Sequence, residues 1–392
     1  MTTENREQLL AGADPKLDSF CCEDRAARFR ELCQAIEKGT LAAEAPSDRH
    51  NMHCHTFYSY NCLQWSPSHV ALAGRLLGLS RLGKVDFDVL NGLDEFRSAC
   101  RALGIRSVCG METRVYIPEL KDVEINSPGE KGIAYHMGLG FVSEKLTGKA
   151  AAFAKDLAER AGKRTRLVVE RVNDALGSLR LDFDKDVIPL TPAGNPTERH
   201  VCSAYRKKAI ASFGEEKAMT FWKDVLGLSP ENTAKAAGSI ASLEGFIRSK
   251  LMKSGGPGYI RPDASSFPTL DEMNAFTLEC GAVPCAAWLN GFSGGESDPE
   301  RLLAFHKAKG MRVLAIIPDR NWNIPDPAKK EASIRNLFAV AEAAKKLDLP
   351  ITAGTELNSP GNKLVDSFEE EPLRTLFAQF LHGADFACAL EK

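Results

Sequence analysis

The sequence lacks an excess of charge of either sign. Its 392 residues carry 50 lysines and arginines against 52 aspartates and glutamates, a formal net charge of −2. Dedicated nucleic-acid-binding proteins usually carry a basic excess, so this balance argues against that class and leaves nucleic acid open only as a substrate. A disordered chain is excluded as well, because 44% of the residues are hydrophobic and can supply a core.

Long apolar runs and export signals are also missing. No stretch approaches the ~18–20 apolar residues that a membrane span needs. The N-terminal segment has no basic stretch followed by an apolar one, as a secretory signal would. The 11 cysteines include no CxxC pair, the common spacing of a structural zinc site. We therefore expect a cytoplasmic protein with reduced thiols and no membrane partner.

The apolar patterning divides the chain into segments of different character. Residues 1–48 form a predicted helical N-terminal extension, with apolar residues at helical spacing. Over 49–144 and again over 259–392, short apolar strands alternate with helical stretches, a pattern typical of β/α repeats around a parallel sheet. Residues 145–258 have helical composition and few strand signals. We therefore predict an α/β protein that carries a mostly helical insert.

The strongest local motif contains two histidines, His53 and His55, separated by one residue. On a strand, residues i and i+2 point to the same face. Two imidazoles on one face can bind one metal ion through nitrogens ~2.0–2.1 Å away. The alternative is that these are two unrelated polar histidines in a loop.

Three further residues stand at or near the ends of predicted strands. Glu112 follows an apolar strand directly, in the position where barrel and open-sheet enzymes place catalytic groups. His136 lies within an apolar strand, where a lone histidine is more often a satisfied core residue. Glu356 follows the last apolar strand, two residues before Asn358. Taken singly, Glu112 fits a solvated surface carboxylate, and the last segment fits a polar turn.

The order of these motifs resembles that of the polymerase and histidinol phosphatase (PHP) family of metal-dependent hydrolases. The segment NMHCHTFYS is similar to the family's D-L-H-x-H-T-x-x-S, and VDFDVLNGLDEF is similar to T-D-H-D-T-x-x-G-x-x-E-F. GMETRV, YHMGLGF, TERHVCSAYRKK, YIRPDASSFPTLDEM, GAVPCAAWL and GTELNS follow in the order of the later motifs. The resemblance covers about residues 50–365, and TERHVCSAYRKK matches the insert of the phosphoesterase branch.

The resemblance implies a distorted (β/α)7 TIM-like barrel with metal ligands at its mouth. It assigns one metal to His53, His55, Glu112 and Glu356, which would also be the catalytic residues. A second, weaker metal would use Glu112 and His136. The implied cofactor is one or two divalent ions per chain, and mixed imidazole and carboxylate ligands accept manganese, zinc or iron.

The chain departs from the family's pattern at four ligand positions. The Asp of the first motif falls on Tyr60 and the His of the second on Phe87. The later His of A-H-P falls on Trp288, and the final His falls on Asn358. These substitutions remove the third metal site of the family and one imidazole of the second, whereas every ligand of the first site keeps a metal-capable side chain.

The function that these features favour is a divergent phosphoesterase that acts on a small phosphorylated substrate through a metal-activated water. Phosphate esters need positive partners, and the candidate substrate-binding residues are Arg114, Arg199, His200 and Lys363. Amide hydrolysis is a related reaction that remains open. The alternative is a barrel without catalysis that binds a ligand or partner, with aromatic residues in the vacated metal space. The sequence indicates no oligomeric state.

Overall fold

The computed structural model describes residues 3–391 and shows a mixed α/β protein with a nearly closed, barrel-shaped sheet of seven strands. The strands neighbour one another in chain order, from the first to the seventh. Their bounds are β1 Ser47–Cys54, β2 Leu79–Phe87, β3 Arg106–Tyr116, β4 Ile133–Leu139, β5 Val283–Trp288, β6 Val313–Ile316 and β7 Ile351–Ala353. This architecture confirms the predicted class, a distorted TIM-like barrel.

One strand differs from the predicted parallel sheet. β4 runs antiparallel to both β3 and β5, whereas the other neighbouring pairs are parallel. A parallel partner for β3 would need a crossover connection, usually a helix. The segment between Tyr116 and Ile133 contains only a short 3-10 turn, Pro118–Leu120, so the chain turns back beside β3.

Fourteen α-helices occur among residues 3–391, and none combines the length and apolar character needed to cross a bilayer. Several begin at a serine, threonine or aspartate cap with proline or glutamate in the first turn, which satisfies the exposed backbone N–H groups. The helices are α1 Thr3–Ala11, α2 Cys22–Glu37, α3 Pro67–Leu76, α4 Leu93–Ala102, α5 Gly148–Leu176, α6 Glu198–Phe213, α7 Glu215–Leu226, α8 Pro230–Gly238, α9 Ile240–Leu251, α10 Leu270–Glu279, α11 Pro299–Ala308, α12 Asp319–Trp322, α13 Pro327–Lys346 and α14 Leu373–Cys388.

The described residues form two compact units. One contains the chain through Ala154 and the chain from Phe267 onward, and it holds all seven strands. The other is the segment Lys155–Ser266, which lies somewhat later in the chain than the predicted insert, residues 145–258. This helical unit has its own apolar core, built around Tyr205 and Trp222.

The two N-terminal helices belong to the barrel unit. The imidazole of His69 on α3 bonds the carboxylate of Asp18, which precedes α2, at 2.8 Å. Arg25 of α2 pairs with Glu95 of α4 at 2.6 Å. These buried polar contacts fasten the N-terminal extension to the first helices of the barrel.

The strands have two faces with separate apolar contacts. One face lines the barrel interior, where Val85, Val108 and Met137 pack together with two alanines of α14. The other face packs against the surrounding helices, as Ile316 does against Leu337 of α13. Because side chains alternate along a strand, a shift of one residue moves a side chain from the interior to the helix layer.

Candidate metal centre

Two histidines at the end of β1 direct their imidazoles to the same point. His53 lies on the strand, and His55 follows its last residue, Cys54. Side chains alternate along extended chain, so the two imidazoles share a face and the thiol between them takes the other. The two Nε2 atoms lie 3.3 Å apart, and both residues are buried.

Glu112 on β3 completes a cluster of three potential ligands. Its Oε2 atom lies 3.2 Å from Nε2 of His53 and 3.2 Å from Nε2 of His55. The carboxylate is buried as well, and it shares the interior face with Val108, four residues earlier. We call His53, His55 and Glu112 the ligand cluster. It stands level with the carboxyl ends of the parallel strands β1 and β2, although β3 continues past Glu112 to Tyr116. Barrel enzymes carry their active sites at this end of the strands.

The cluster has the electrostatics of a cation site. Burial raises the pKa of Glu112, but the charge of His53 and hydrogen bonds from both imidazoles outweigh burial and hold this pKa below its usual value. Burial lowers the pKa of His53, but the Glu112 carboxylate outweighs it and the net shift is upward. The buried negative charge therefore favours a positive partner, either a proton on imidazole or a metal ion.

A chain of hydrogen bonds orients the second imidazole. Nδ1 of His55 lies 2.9 Å from Oγ of Ser59, and Ser59 donates to Asp86 at 2.6 Å. Asp86 also accepts from the backbone and hydroxyl of Thr56, and pairs with buried Lys84 at 2.7 Å. Because an ionised carboxylate only accepts, the Ser59 hydroxyl donates to Asp86 and accepts from Nδ1–H of His55, which holds the ring with its Nε2 toward the cluster.

Glu356 lies beside the cluster, but its carboxylate is turned elsewhere. Its N–H donates to the carbonyl of His53 at 2.7 Å, and its carbonyl accepts from the N–H of His55 at 2.8 Å. These bonds extend the barrel closure between β1 and the segment after β7. The Glu356 carboxylate pairs with Arg320 of α12. It is not among the ligand atoms that lie within 4.8 Å of one another.

His136, a predicted ligand of a second metal, lies on the other face of the sheet. It pairs across the sheet with Thr113, whereas Glu112 pairs with Met137. Nε2 of His136 lies 2.7 Å from Oδ1 of Asn274. Burial lowers the pKa of this histidine to about 4. The structure therefore does not bring His136 to Glu112.

A second histidine lies next to His136 in the helix layer. His306 of α11 stacks its ring parallel to that of His136, with centroids 6.3 Å apart. Burial, followed by the charge of His136, lowers the pKa of His306 to about 3. We call His136 and His306 the outer histidine pair. Both rings are buried, and neither Nδ1 has a hydrogen-bond partner among the described residues.

Two of the predicted phosphate-binding cations lie in the barrel unit and are engaged in ion pairs. Arg114 bonds Glu130 at 2.8 Å, and its guanidinium packs over the ring of Phe267. Lys363 pairs at 2.8 Å with Asp319, the residue that directly precedes Arg320 in the chain. Lys363 therefore lies near the Arg320–Glu356 ion pair beside the ligand cluster, whereas Arg114 contacts Glu130 and Phe267 instead.

The other two predicted cations lie on α6 in the helical unit. His200 is buried in the first turn, where its Nδ1 accepts a hydrogen bond from the N–H of Thr197 at 3.1 Å. Burial lowers the pKa of His200 to about 3. This contact caps the start of the helix. Arg199 precedes it on the same turn.

Two of the three aromatic substitutions, Phe87 and Trp288, occupy different surroundings. Phe87, at the end of β2, stacks on His55 with centroids 4.8 Å apart, so it does border the ligand cluster. Trp288 instead packs in the helix layer with Leu303 and Leu337. The inward positions of β5 next to it carry small residues, Cys285 and Ala287.

Two residues that contact the site are not among those that the sequence singles out. Arg320 follows β6 in the polar segment PDRNW, and the rule that sites collect at strand ends could have indicated it. Ser59 stands at the serine of the first motif, and its hydroxyl links His55 to Asp86. Arg320 is distant in sequence from its partner Glu356, whereas Ser59 lies close in sequence to His55 and far from Asp86.

No family model matches the sequence, and no curated protein matches it. Solved structures do resemble it. An amidohydrolase from Chromobacterium violaceum, with sulfate bound and no metal, is 17% identical at a TM-score of 0.53, covering 86% of this chain and 99% of that one. A protein assigned as a metal-dependent phosphoesterase, from Bifidobacterium adolescentis, is 19% identical at a TM-score of 0.51. The match covers 86% of this chain and 98% of that one. The likeness shows a fold that hydrolases use.

Proposed function

We propose that this protein is a metal-dependent phosphoesterase that binds one divalent ion through His53, His55 and Glu112. The observation that carries the proposal is the convergence of two imidazole nitrogens and one carboxylate oxygen within 4.8 Å, buried at the mouth of the barrel. Two histidines and a carboxylate are a common ligand set of catalytic metals, which keep a further position open for water or substrate. Glu356, held beside them, is the proposed fourth ligand.

The donor set fits manganese, zinc or iron, which all accept imidazole with carboxylate. When bound, such an ion lowers the pKa of its water and polarises an ester oxygen. The chain's own residues prepare the site. Ser59 and Asp86 hold the tautomer and orientation of His55, and Glu112 supplies the charge that a cation needs.

A single ion is the stoichiometry that the side chains favour. His136, the predicted ligand of a second ion, and Trp288, which replaces the family's other imidazole there, belong to the helix layer. Phe87 covers one side of His55 with an apolar ring and offers no ligand atom. A single bound ion would supply one activated water and one electrophilic contact, so protein cations must meet the remaining charge of a phosphate ester.

The proposed substrate is a small phosphorylated molecule. Lys363 and Arg320 supply positive charge beside the ligand cluster, and both side chains are partly exposed. Arg114, Arg199 and His200 stay predictions as phosphate-binding residues. A barrel that retains the metal and binds an anion without turnover is the second candidate, and the stacking of Phe87 on His55 favours it because it narrows the space for a second ion.

Metal content tests the first step of the proposal. Elemental analysis of protein purified without chelator should find about one ion per chain, which the double variant His53→Ala/His55→Ala should lose. His136→Gln, a buried histidine outside the cluster, is the matched control and should retain the ion. Absence of bound metal after incubation with manganese, zinc or iron would contradict the proposed function.

Turnover separates the two candidate functions. Metal-loaded protein should hydrolyse p-nitrophenyl phosphate or its diester, and the double histidine variant should not. Loaded protein that binds inorganic phosphate but hydrolyses neither compound would favour the binding protein over the phosphoesterase.

A further inference from the structure

The backbone of Glu356 is fixed next to the ligand cluster. Its N–H and carbonyl bond the backbone at His53 and His55, and its φ of 68° is left-handed, which a glutamate adopts only when its surroundings hold it. Gly354 permits this close approach, since a Cβ there would lie 2.3 Å from the nitrogen of His53. The side chain of Glu356 can therefore change partners only by rotation, without leaving the site.

The present partner of that side chain is Arg320. The side chain of Glu356 is 8% exposed, whereas that of Arg320 is 43% exposed. The carboxylate of this ion pair is thus buried beside the ligand cluster, whereas the guanidinium reaches solvent. Both charges act on the cluster. After burial and Glu112, Glu356 raises the pKa of His53 and Arg320 lowers it.

A cation in the ligand cluster would compete with Arg320 for the same carboxylate. Three protein ligands leave a divalent ion with an open position that a nearby carboxylate can fill. If Glu356 turns to the ion, the guanidinium loses its partner. A guanidinium binds oxyanions through a planar fork of N–H groups, so its released form suits a phosphate or sulfate group.

We propose that Arg320 is a latch that couples the metal to an anionic substrate: it holds Glu356 until the metal takes that carboxylate, and then binds an oxyanion. The inference rests on the proposed metal site and adds Arg320 as a substrate-binding residue. Coupling between two binding sites is reciprocal. An oxyanion on Arg320 therefore frees Glu356 and tightens metal binding, and the metal tightens oxyanion binding by the same factor.

Manganese and sulfate are suitable probes of this coupling. Free Mn²⁺ is measured by its electron paramagnetic resonance signal in titrations of the whole protein, with sulfate or with chloride at equal ionic strength and with protein-free blanks. For the wild type, sulfate should lower the Kd for Mn²⁺ about fivefold or more. For Arg320→Gln, Mn²⁺ should bind about fivefold more tightly than to the wild type in chloride, and sulfate should have no further effect.

Three variants separate a latch from simple charge repulsion. Arg335→Gln removes the same charge from an exposed pair with Glu331 on α13 and should retain the full sulfate effect. Arg320→Lys keeps the charge but not the fork, and should lose most of the sulfate effect. In the Glu356→Gln background, Arg320→Gln should no longer tighten Mn²⁺ binding, because the shared carboxylate is gone.

Each outcome decides between the latch and the metal site. Mn²⁺ binding that is unaffected by sulfate, or an Arg320→Gln variant that binds Mn²⁺ more weakly, overturns the latch and leaves the metal site intact. Tightening by Arg320→Gln that persists in the Glu356→Gln background also overturns the latch, since repulsion alone explains it. Wild-type protein that binds no Mn²⁺ overturns both the latch and the proposed function.

Discussion

The barrel unit buries two histidine pairs that differ in the side chain they face. The ligand cluster places two imidazoles 3.2 Å from the carboxylate of Glu112, on the interior face. In the outer histidine pair, His136 faces the amide of Asn274, whose Oδ1 atom lies 2.7 Å from its Nε2. Both sets are buried to a similar degree. The difference between them is therefore chemical, a carboxylate in one and an amide in the other.

That difference decides whether the net pKa shift of a buried histidine is upward or downward. Burial lowers the pKa of His136 to about 4, and the neutral amide of Asn274 does not restore it. Burial also lowers the pKa of His53, but Glu112 more than compensates. A buried pair of histidines is thus a cation site only where an ionised carboxylate completes it. Beside an amide, the same residues are neutral members of the core.

The largest effect should follow when the carboxylate of the ligand cluster is neutralised. We expect Glu112→Gln to weaken Mn²⁺ or Zn²⁺ binding roughly 100-fold, because it removes a ligand and the charge that attracts the ion. The matched control is Glu296→Gln, another buried glutamate, whose carboxylate accepts backbone hydrogen bonds from 289–291. Isothermal titration calorimetry checks both variants. Equal metal affinities for them would contradict the assignment of Glu112.

The opposite substitution, Asn274→Asp, places a carboxylate beside the outer histidine pair. In Asn274→Asp, the new charge should raise the pKa of His136 by about two units, as an adjacent opposite charge does. The variant also loses the hydrogen bond from the amide to the carbonyl of Lys309. Titration of the ring proton by NMR measures the shift, and Asn274→Ala is the control without charge. An unchanged pKa in Asn274→Asp would show that an adjacent carboxylate does not account for the difference between the two pairs.

The outer histidine pair should also make the barrel sensitive to acid. The pKa of His136 is about 4 in the fold and about 6.5 when unfolded, so the unfolded chain binds more protons between these values. Stability is then full above about pH 6.5 and falls as the pH drops toward 4, by about 2 kcal/mol for His136 between pH 6.5 and 5. The free energy of unfolding, measured with urea at several pH values, should fall less steeply with decreasing pH for His136→Gln than for the wild type. An unchanged pH dependence would contradict a neutral, buried His136.

The two pairs also show where sequence reasoning succeeds and fails. The convergence of His53 and His55 follows from alternation along one strand, a local property that their spacing reveals. The place of His136 depends on the register between β3 and β4, which pairs it with Thr113. A register one residue different would have put it on the interior face. Nothing local in the sequence fixes that register.

The fold shows the same division between local and distant information. Strand and helix patterns, with the family resemblance, predict the barrel, whereas the reversed direction of β4 depends on a connection without a crossover helix. The ion pair between Arg320 and Glu356 joins residues from the ends of two strands, and neither residue type indicates the other. Contacts of this kind are set by closure of the barrel rather than by any single segment.

The smallest expected effect concerns the hydrogen bond at Nδ1 of His55, which has no counterpart at Nδ1 of the outer histidines. Ser59 links His55 to Asp86, whereas Nδ1 of His136 has no hydrogen-bond partner among the described residues. Loss of a residue that orients a metal-binding histidine typically lowers the metal affinity 10–100-fold. We expect the lower figure, about tenfold, for Ser59→Ala, because stacking against Phe87 still restrains the ring.

Competition with a fluorescent chelator can measure this tenfold change against a matched serine. Ser333→Ala removes a buried hydroxyl that has no hydrogen-bond partner among residues 3–391, so it should leave the metal affinity unchanged. If Ser59→Ala behaves like Ser333→Ala, the ring of His55 is held by packing alone. The two histidine pairs would then differ only in their carboxylate, and Asp86 would serve to fix the backbone at Thr56 rather than to orient a ligand.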